Sequence, residues 1–235
     1  MANALRFLTI LPVPGQAGDP GPAAAWFPLV GILLGLLATA MMLLPFGPLL
    51  ALLTLTLATG ALHEDGLADV FDAIRAGRTR ERMHQILKDS RIGTHGAVAL
   101  LFSVLLRWQA LEKIHGHLLP PELWFRLPVA WGVSRAAMVL LAAASKPAGD
   151  GLGASFVRSI SGLSATVAAV QALAFLGILA RFDALAAVSM LGVNLALLIV
   201  LRGWFHTRLG GVTGDCLGCA CQISEAASLM VLAWR

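Results

Sequence analysis

Long apolar runs alternate with short polar stretches along the whole chain, and this limits its fold more than any other property. Runs at 24–44, 93–111, 127–145, 162–180, 182–201 and 216–234, with a shorter one at 48–62, approach the length a helix needs to cross a bilayer, about 20 residues. The 48–62 run holds Thr54, Thr56 and Thr59 and is expected to tilt or to pack between neighbours. Composition agrees: 58% of the 235 residues are hydrophobic, 13% are charged, and the mean hydropathy is +0.81. Soluble domains are roughly half apolar and a quarter charged. A disordered chain, a disulfide scaffold and an ordinary cytosolic globule are thereby excluded. The expected fold is all-α, a polytopic integral membrane helical bundle of about seven transmembrane helices forming one domain over 1–235.

The first fifteen residues lack the pattern of a secretory signal. Pro12, Pro14, Gly15, Gly18, Pro20, Gly21 and Pro22 break the chain before the first run, which suggests a short helix at the membrane interface. Orientation follows from the basic residues, since short cytoplasmic loops retain Lys and Arg. The stretch 63–92 holds Arg75, Arg78, Arg80, Arg82, Lys88 and Arg91. Placing it in the cytoplasm, and alternating through seven spans, puts the N-terminus, 146–158 and 202–208 there too. The opposite side receives Lys113, Arg126, Arg181 and Arg235. The net charge of +4 is then a topological bias that also suits an anionic substrate, and it calls for no nucleic acid.

Six of the 13 acidic residues fall in one stretch: Glu64, Asp65, Asp69, Asp72, Glu81 and Asp89. Carboxylates at a membrane boundary are costly unless they meet a cation or a base. Asp65, Asp69 and Asp72, spaced i, i+4 and i+7, share an arc of roughly 60° on a helix. Three stacked carboxylates suit a hard cation such as Mg²⁺; a solvated helix start paired with Arg75 and Arg78 is the plainer alternative. Gly66 permits close approach of a backbone or a phosphate. His63 and Glu64 lie off the Asp face and are general-base candidates, or else caps.

Three further polar segments carry glycines and charges. In 88–96, Lys88, Ser90, Arg91 and Gly93 precede a helix and form a candidate phosphate cradle, with Asp89 among them. In 208–215, Arg208, Gly210, Gly211, Thr213 and Gly214 permit an anion-facing turn, and Asp215 adds a carboxylate. The third, 145–153, is rich in glycine. Taken together, four polar segments on one membrane face read as one site. Glu225 lies ten residues beyond Asp215 on the same helical face, either looking into a shared polar cavity or paired with Arg107 or Arg135. Cys216, Cys219 and Cys221 fall inside an apolar helix and are read as small fillers rather than metal ligands.

On particular motifs the chain resembles the cobalamin synthase family of membrane enzymes: FLTILPVP at 7–14, WFPLVG at 26–31, TGALHEDGLADVFDA at 59–73, RMHQILKDSRIGTHG at 82–96, Ser134 and Arg135, GLG at 151–153, and LGGVTGDCLG at 209–218. HEDGLAD, KDSRIG and GGVTGD are the specific elements. Val70 and Phe71 depart from the small residues expected there, and Cys216, Cys219, Cys221 and Gln222 occupy a segment expected to carry small residues and another acid. The resemblance implies transfer of the adenosylcobinamide phosphate moiety of adenosylcobinamide-GDP to α-ribazole or its 5′-phosphate, with release of GMP and a requirement for Mg²⁺. It implies Asp65, Asp69, Asp72 and Asp215 as metal ligands. Lys88, Ser90, Arg91, Gly93, Arg208, Gly210, Gly211, Thr213 and Gly214 would meet substrate, and one of His63, Glu64 or Asp89 would be the base. The expected setting is the cytoplasmic membrane of a prokaryote with the site facing the cytoplasm, with lipid and further copies of the chain as neighbours. Two other readings compete: a CDP-alcohol phosphotransferase, whose Asp pattern is only partly present, and a cation transporter, whose acids should lie in the spans.

Overall fold

The computed structural model describes residues 1–15, 18–76, 79–149 and 151–234, so Arg78, Asp150 and Arg235 lie outside the described residues. The described chain is helical. A short helix α1 (Ala2–Leu8) precedes α2 (Pro20–Ala23), which runs through a 3₁₀ turn into α3 (Phe27–Met42). Then come α4 (Gly47–Thr59), α5 (Leu62–Ala76), α6 (Arg80–Ile86), α7 (Thr94–His117) and α8 (Pro120–Ala143). The last are α9 (Leu152–Ser159), α10 (Gly162–Ala180), α11 (Ala184–Leu209) and α12 (Gly214–Ala233).

Five described segments are long and apolar enough to cross a membrane: Pro20–Met42, α8, α10, α11 and α12. The expected 48–62 run appears as α4, apolar but shorter. The 93–111 run lies in α7, which is 24 residues long but carries Arg107, Glu112 and Lys113. The two departures differ in cause: α4 falls short in length, at 13 residues, whereas charged side chains lower the apolarity of α7.

Burial sorts the helices into an inner and an outer set. The inner ones, α8 and α12, are buried almost throughout, whereas α10 and α11 present Val170, Leu173, Val188, Ile199 and Val200 outward. An apolar outer surface on self-satisfied helices is what lipid requires. Close approach between inner helices depends on glycine. A Cβ on Gly31 would lie 2.3 Å from the carbonyl oxygen of Trp131, and one on Gly35 would lie 2.5 Å from Cα of Pro128. Small residues four apart thus let α3 seat directly on the backbone of α8. Near the N-terminus, Phe7, Phe27 and Phe156 stack with ring centroids 5.3–5.5 Å apart, tying α1 and α9 to α3.

Candidate active site

The acidic helix is positioned by a turn and a glycine contact. Helix α4 ends at Gly60 in the left-handed region, and Ala61 follows at φ 56°, which redirects the chain into α5. Helix α5 then crosses α12 where glycines face each other. A Cβ on Gly66 would stand 2.7 Å from the backbone oxygen of Asp215 and 3.2 Å from Cα of Gly218. Of the two approaches considered from sequence, Gly66 thus admits a backbone, and this sets Asp65 beside the start of α12. Gly66→Ala is expected to destabilise the protein by about 1–3 kcal/mol through overpacking and to lower activity with it. Thermal unfolding in detergent checks this, and an unchanged melting temperature would contradict it.

The glycine-rich segments are joined to one another. Val212 donates its amide to the Lys146 carbonyl at 2.8 Å, and Ala148 donates to the Val212 carbonyl at 3.0 Å. A Cβ on Gly153 would lie 2.1 Å from the amide nitrogen of Gly214, so the two loops touch through bare backbone. Thr213 caps α12: its hydroxyl accepts the Cys216 amide at 3.3 Å and donates to the Asp215 carboxylate at 3.2 Å. Asp72 acts across elements, accepting the amides of Gly93 at 2.7 Å and Gly96 at 2.8 Å, one on each carboxylate oxygen. It thereby satisfies the exposed amides at the start of α7.

These contacts enclose a cavity of about 560 Å³. His63 and Asp65 come from α5, His84 and Lys88 from α6 and its exit, and Thr213, Gly214 and Asp215 from the α12 turn. Ala148, Gly149, residues 151–154 and Phe156, with Arg6 and Phe7 of α1, add to the wall. Most of the segments assigned to one membrane face from their charges therefore reach the same cavity, whereas 202–208 does not line it.

The carboxylates crowd one another. Burial first, and then the charges of Asp65, Asp215 and Asp72, push the Asp69 carboxyl up to about 7. Among the described residues, no three His, Cys, Asp or Glu side chains already stand together as a metal-ligand cluster. Burial, with the guanidinium of Arg135 nearby, pushes His63 down to about 3, so the ring is neutral, and neither of its nitrogens has a hydrogen-bond partner. Asp89 lies on the turn after α6, and its hydrogen bonds with Arg91 hold it down at about 2.

Behind the cavity lies a buried set of charges. Glu225 of α12 accepts from Arg107 of α7 at 3.0 Å and from Arg135 of α8. Arg107 also reaches Glu64 of α5 at 3.4 Å, and Arg135 donates to Ser134 at 2.9 Å. Two cations and two anions thus balance where four helices meet, and Glu225 takes the paired arrangement rather than facing the cavity.

The family model for cobalamin-5-phosphate synthase matches residues 1–233. The chain belongs to that family. It is similar to the adenosylcobinamide-GDP ribazoletransferase of Geotalea daltonii, 38% identical over 97% of this chain and 94% of the relative. It also resembles proteins of the same name from Prosthecochloris aestuarii, at 35% identity over 96% of this chain and 94% of the relative, and Escherichia coli K12, at 33% over 97% and 96%. No solved structure matches the chain.

In this member of the cobalamin-5-phosphate synthase family, the residues singled out from sequence divide by position. His63, Asp65, Lys88, Thr213, Gly214 and Asp215 line the cavity. Asp69 is half-buried beside Asp65. Gly210 ends α11 in the left-handed region at φ 82°, and Gly211 packs on the Lys146 carbonyl. Ser90 and Arg91 are exposed, Gly93 is bonded to Asp72, and Arg208 borders a separate small hollow with Arg80 and Thr207. Sequence reasoning missed Phe7, Met138 and Phe156 as cavity walls. Phe7 lay within the FLTILPVP motif, which was the available signal; Met138 sits in the 127–145 apolar run, which read only as core, and Phe156 in the 146–158 loop, where nothing marked it.

Proposed function

We propose that this chain is an adenosylcobinamide-GDP ribazoletransferase, joining α-ribazole or its 5′-phosphate to the activated corrinoid in the last steps of cobalamin biosynthesis. The observation that carries the reading is the convergence of the HEDGLAD, KDSRIG and GGVTGD segments on one cavity, in a chain matched over nearly its whole length by proteins of that name. The same match favours it over a lipid phosphotransferase or a cation transporter. The reaction forms a bond from a ribazole hydroxyl oxygen to the phosphorus nearer the corrinoid. The bond from that phosphorus to GMP breaks, and the hydroxyl proton passes to a base.

Of the three base candidates, His63 is the one that lines the cavity, with both ring nitrogens unpartnered. Glu64 faces Arg107 instead, and Asp89 is held by Arg91 outside the cavity. His63 is therefore assigned as proton acceptor, its proton affinity rising when the polyanionic donor binds beside it. Lys88 and the Thr213–Gly214 turn would hold phosphate oxygens.

Mg²⁺ fits the donor chemistry. Asp65, Asp69 and Asp215 offer only hard oxygens, and their mutual repulsion is what a divalent cation relieves. Mg²⁺ typically uses one or two carboxylates together with waters and substrate phosphates, so it needs no ready-made protein cage. When bound, it would neutralise the pyrophosphate and the departing GMP. Asp72 is assigned to hold the α7 start beside these ligands.

Because Asp69 titrates near 7, protons and Mg²⁺ compete for it. Activity is expected to fall as pH drops through about 7, with a midpoint that moves lower as Mg²⁺ is raised. Without the cation, the folded protein binds this proton more tightly than the unfolded chain, so stability declines as pH rises from the ordinary Asp range through 7. Mg²⁺ should accordingly raise the melting temperature more at about pH 8 than at about pH 5.5. A midpoint and a melting temperature both indifferent to Mg²⁺ would remove the cation from the site.

The cavity is assigned to the cytoplasmic face of a prokaryotic inner membrane, because Lys88 lines it, Lys146 is bonded to the Val212 turn, and Arg80 reaches the Thr207 carbonyl near the end of α11. The function is tested by GMP release from adenosylcobinamide-GDP and α-ribazole, using purified protein in detergent with and without Mg²⁺. Absence of release under every condition would overturn it.

A further inference from the structure

The cavity has two chemically distinct regions. Its rim carries Asp65, Lys88, Thr213 and Asp215, whereas among its buried lining residues Met138 is 3% exposed and Phe156 is 0% exposed, with His63 the polar exception. Ala154 and Leu217, also buried, continue this apolar floor. The Phe156 ring is fixed by stacking on Phe7, itself a cavity wall, and on Phe27, both at 5.5 Å, so this wall is formed before any ligand arrives.

Size admits only one of the two reactants. Cavities of about 300–1,000 Å³ enclose a single drug-sized molecule, and this one measures about 560 Å³. A nucleoside is of that size, while a corrinoid bearing a nucleotide is several times larger. Chemistry then separates the two nucleosides involved. The guanine of the donor carries donors and acceptors along its edge, and at a floor of Met, Phe, Ala and Leu they would lose water without gaining partners. A benzimidazole presents mostly hydrocarbon and suits a pre-stacked aromatic wall.

We infer that the floor formed by Met138, Ala154, Phe156 and Leu217 takes the aromatic base of the nucleoside acceptor, while the corrinoid and guanosine parts of the donor stay outside and present only the pyrophosphate at the rim. This rests on the ribazole-transfer reading. It makes these residues determinants of acceptor size and leaves donor recognition to the rim and the surface beyond it.

The test is a separation of Michaelis constants. Ala154→Leu adds volume at the floor, and its KM for α-ribazole is expected to rise about tenfold or more, as a few methylene groups do in a closed pocket. Its KM for adenosylcobinamide-GDP, and kcat at saturating nucleoside, should stay within about twofold of the parent. Met138→Ala opens the floor and should lower KM for a nucleoside with a bulkier tricyclic base by about tenfold relative to α-ribazole. It provides the test if Ala154→Leu does not fold. In the parent protein, α-ribazole alone should raise the melting temperature in detergent. A rise in donor KM, or unchanged constants in both variants, would overturn the placement while leaving the function intact. A parent protein that releases no GMP would overturn the function itself.

Discussion

Asp65→Asn is expected to reduce GMP release by about 10²–10³-fold or more, the scale on which a single group that stabilises developing charge contributes, while the protein stays folded in the membrane. Asp65 lines the cavity on an exposed part of α5, one residue before the Gly66 contact with α12. Its amide replacement keeps shape and hydrogen-bonding capacity but removes the charge that draws a cation to the pyrophosphate. Because Asp65 raises the proton affinity of Asp69, the same substitution should bring the Asp69 carboxyl down from about 7. Burial, the larger cause, remains, so the acidic limb of the residual activity should move to lower pH. Full activity in the presence of Mg²⁺ would sink the metal assignment. A lost fold, seen as a collapsed melting transition, would show that Asp65 serves the α5–α12 contact instead.

Glu225→Ala should act on stability, by about 3–5 kcal/mol, the usual cost of breaking one partner out of a buried ion pair. Glu225 is 1% exposed and joins Arg107 and Arg135, both 2% exposed, so its removal leaves two guanidiniums facing the single carboxylate of Glu64. Glu225→Asp, which keeps the charge on a shorter arm, should lose less. Removing Arg135 together with Glu225 through an apolar pair, Arg135→Met with Glu225→Leu, should recover much of the loss, because the Arg107–Glu64 pair remains balanced. Melting temperatures in detergent and yields in the membrane fraction provide the measurements. A parent-like melting temperature for Glu225→Ala would show that the network holds little of the bundle's stability.

Much of the site was legible because polar residues in an apolar chain carry strong information. The positions of the spans, the acidic helix and the four polar segments all follow from charge and glycine placement, and one cavity gathers most of the segments. Contacts between distant residues were not legible. Asp72 shares a helical arc with Asp65 and Asp69, yet its carboxylate meets the amides of Gly93 and Gly96, because the fold carries the start of α7 to that point. Periodicity reports which face a side chain occupies, not what waits opposite it. The same limit hid Phe156, whose role depends on rings contributed by α1 and α3. Glu225 was legible only as two alternatives, since a buried acid in a span looks the same whether it faces a cavity or an arginine.

Chain order gives the buried charges a bearing on biogenesis. Glu225 follows Arg107 by 118 residues and Arg135 by 90, so of the four helices that meet there, the one carrying it is synthesised last. Until α12 arrives, two guanidiniums share one carboxylate in a medium that penalises net charge. The earlier helices therefore cannot settle into a neutral assembly by themselves. Insertion of one late carboxylate closes the set, so that completion of the bundle is tied to completion of the segment that also carries Asp215 into the cavity.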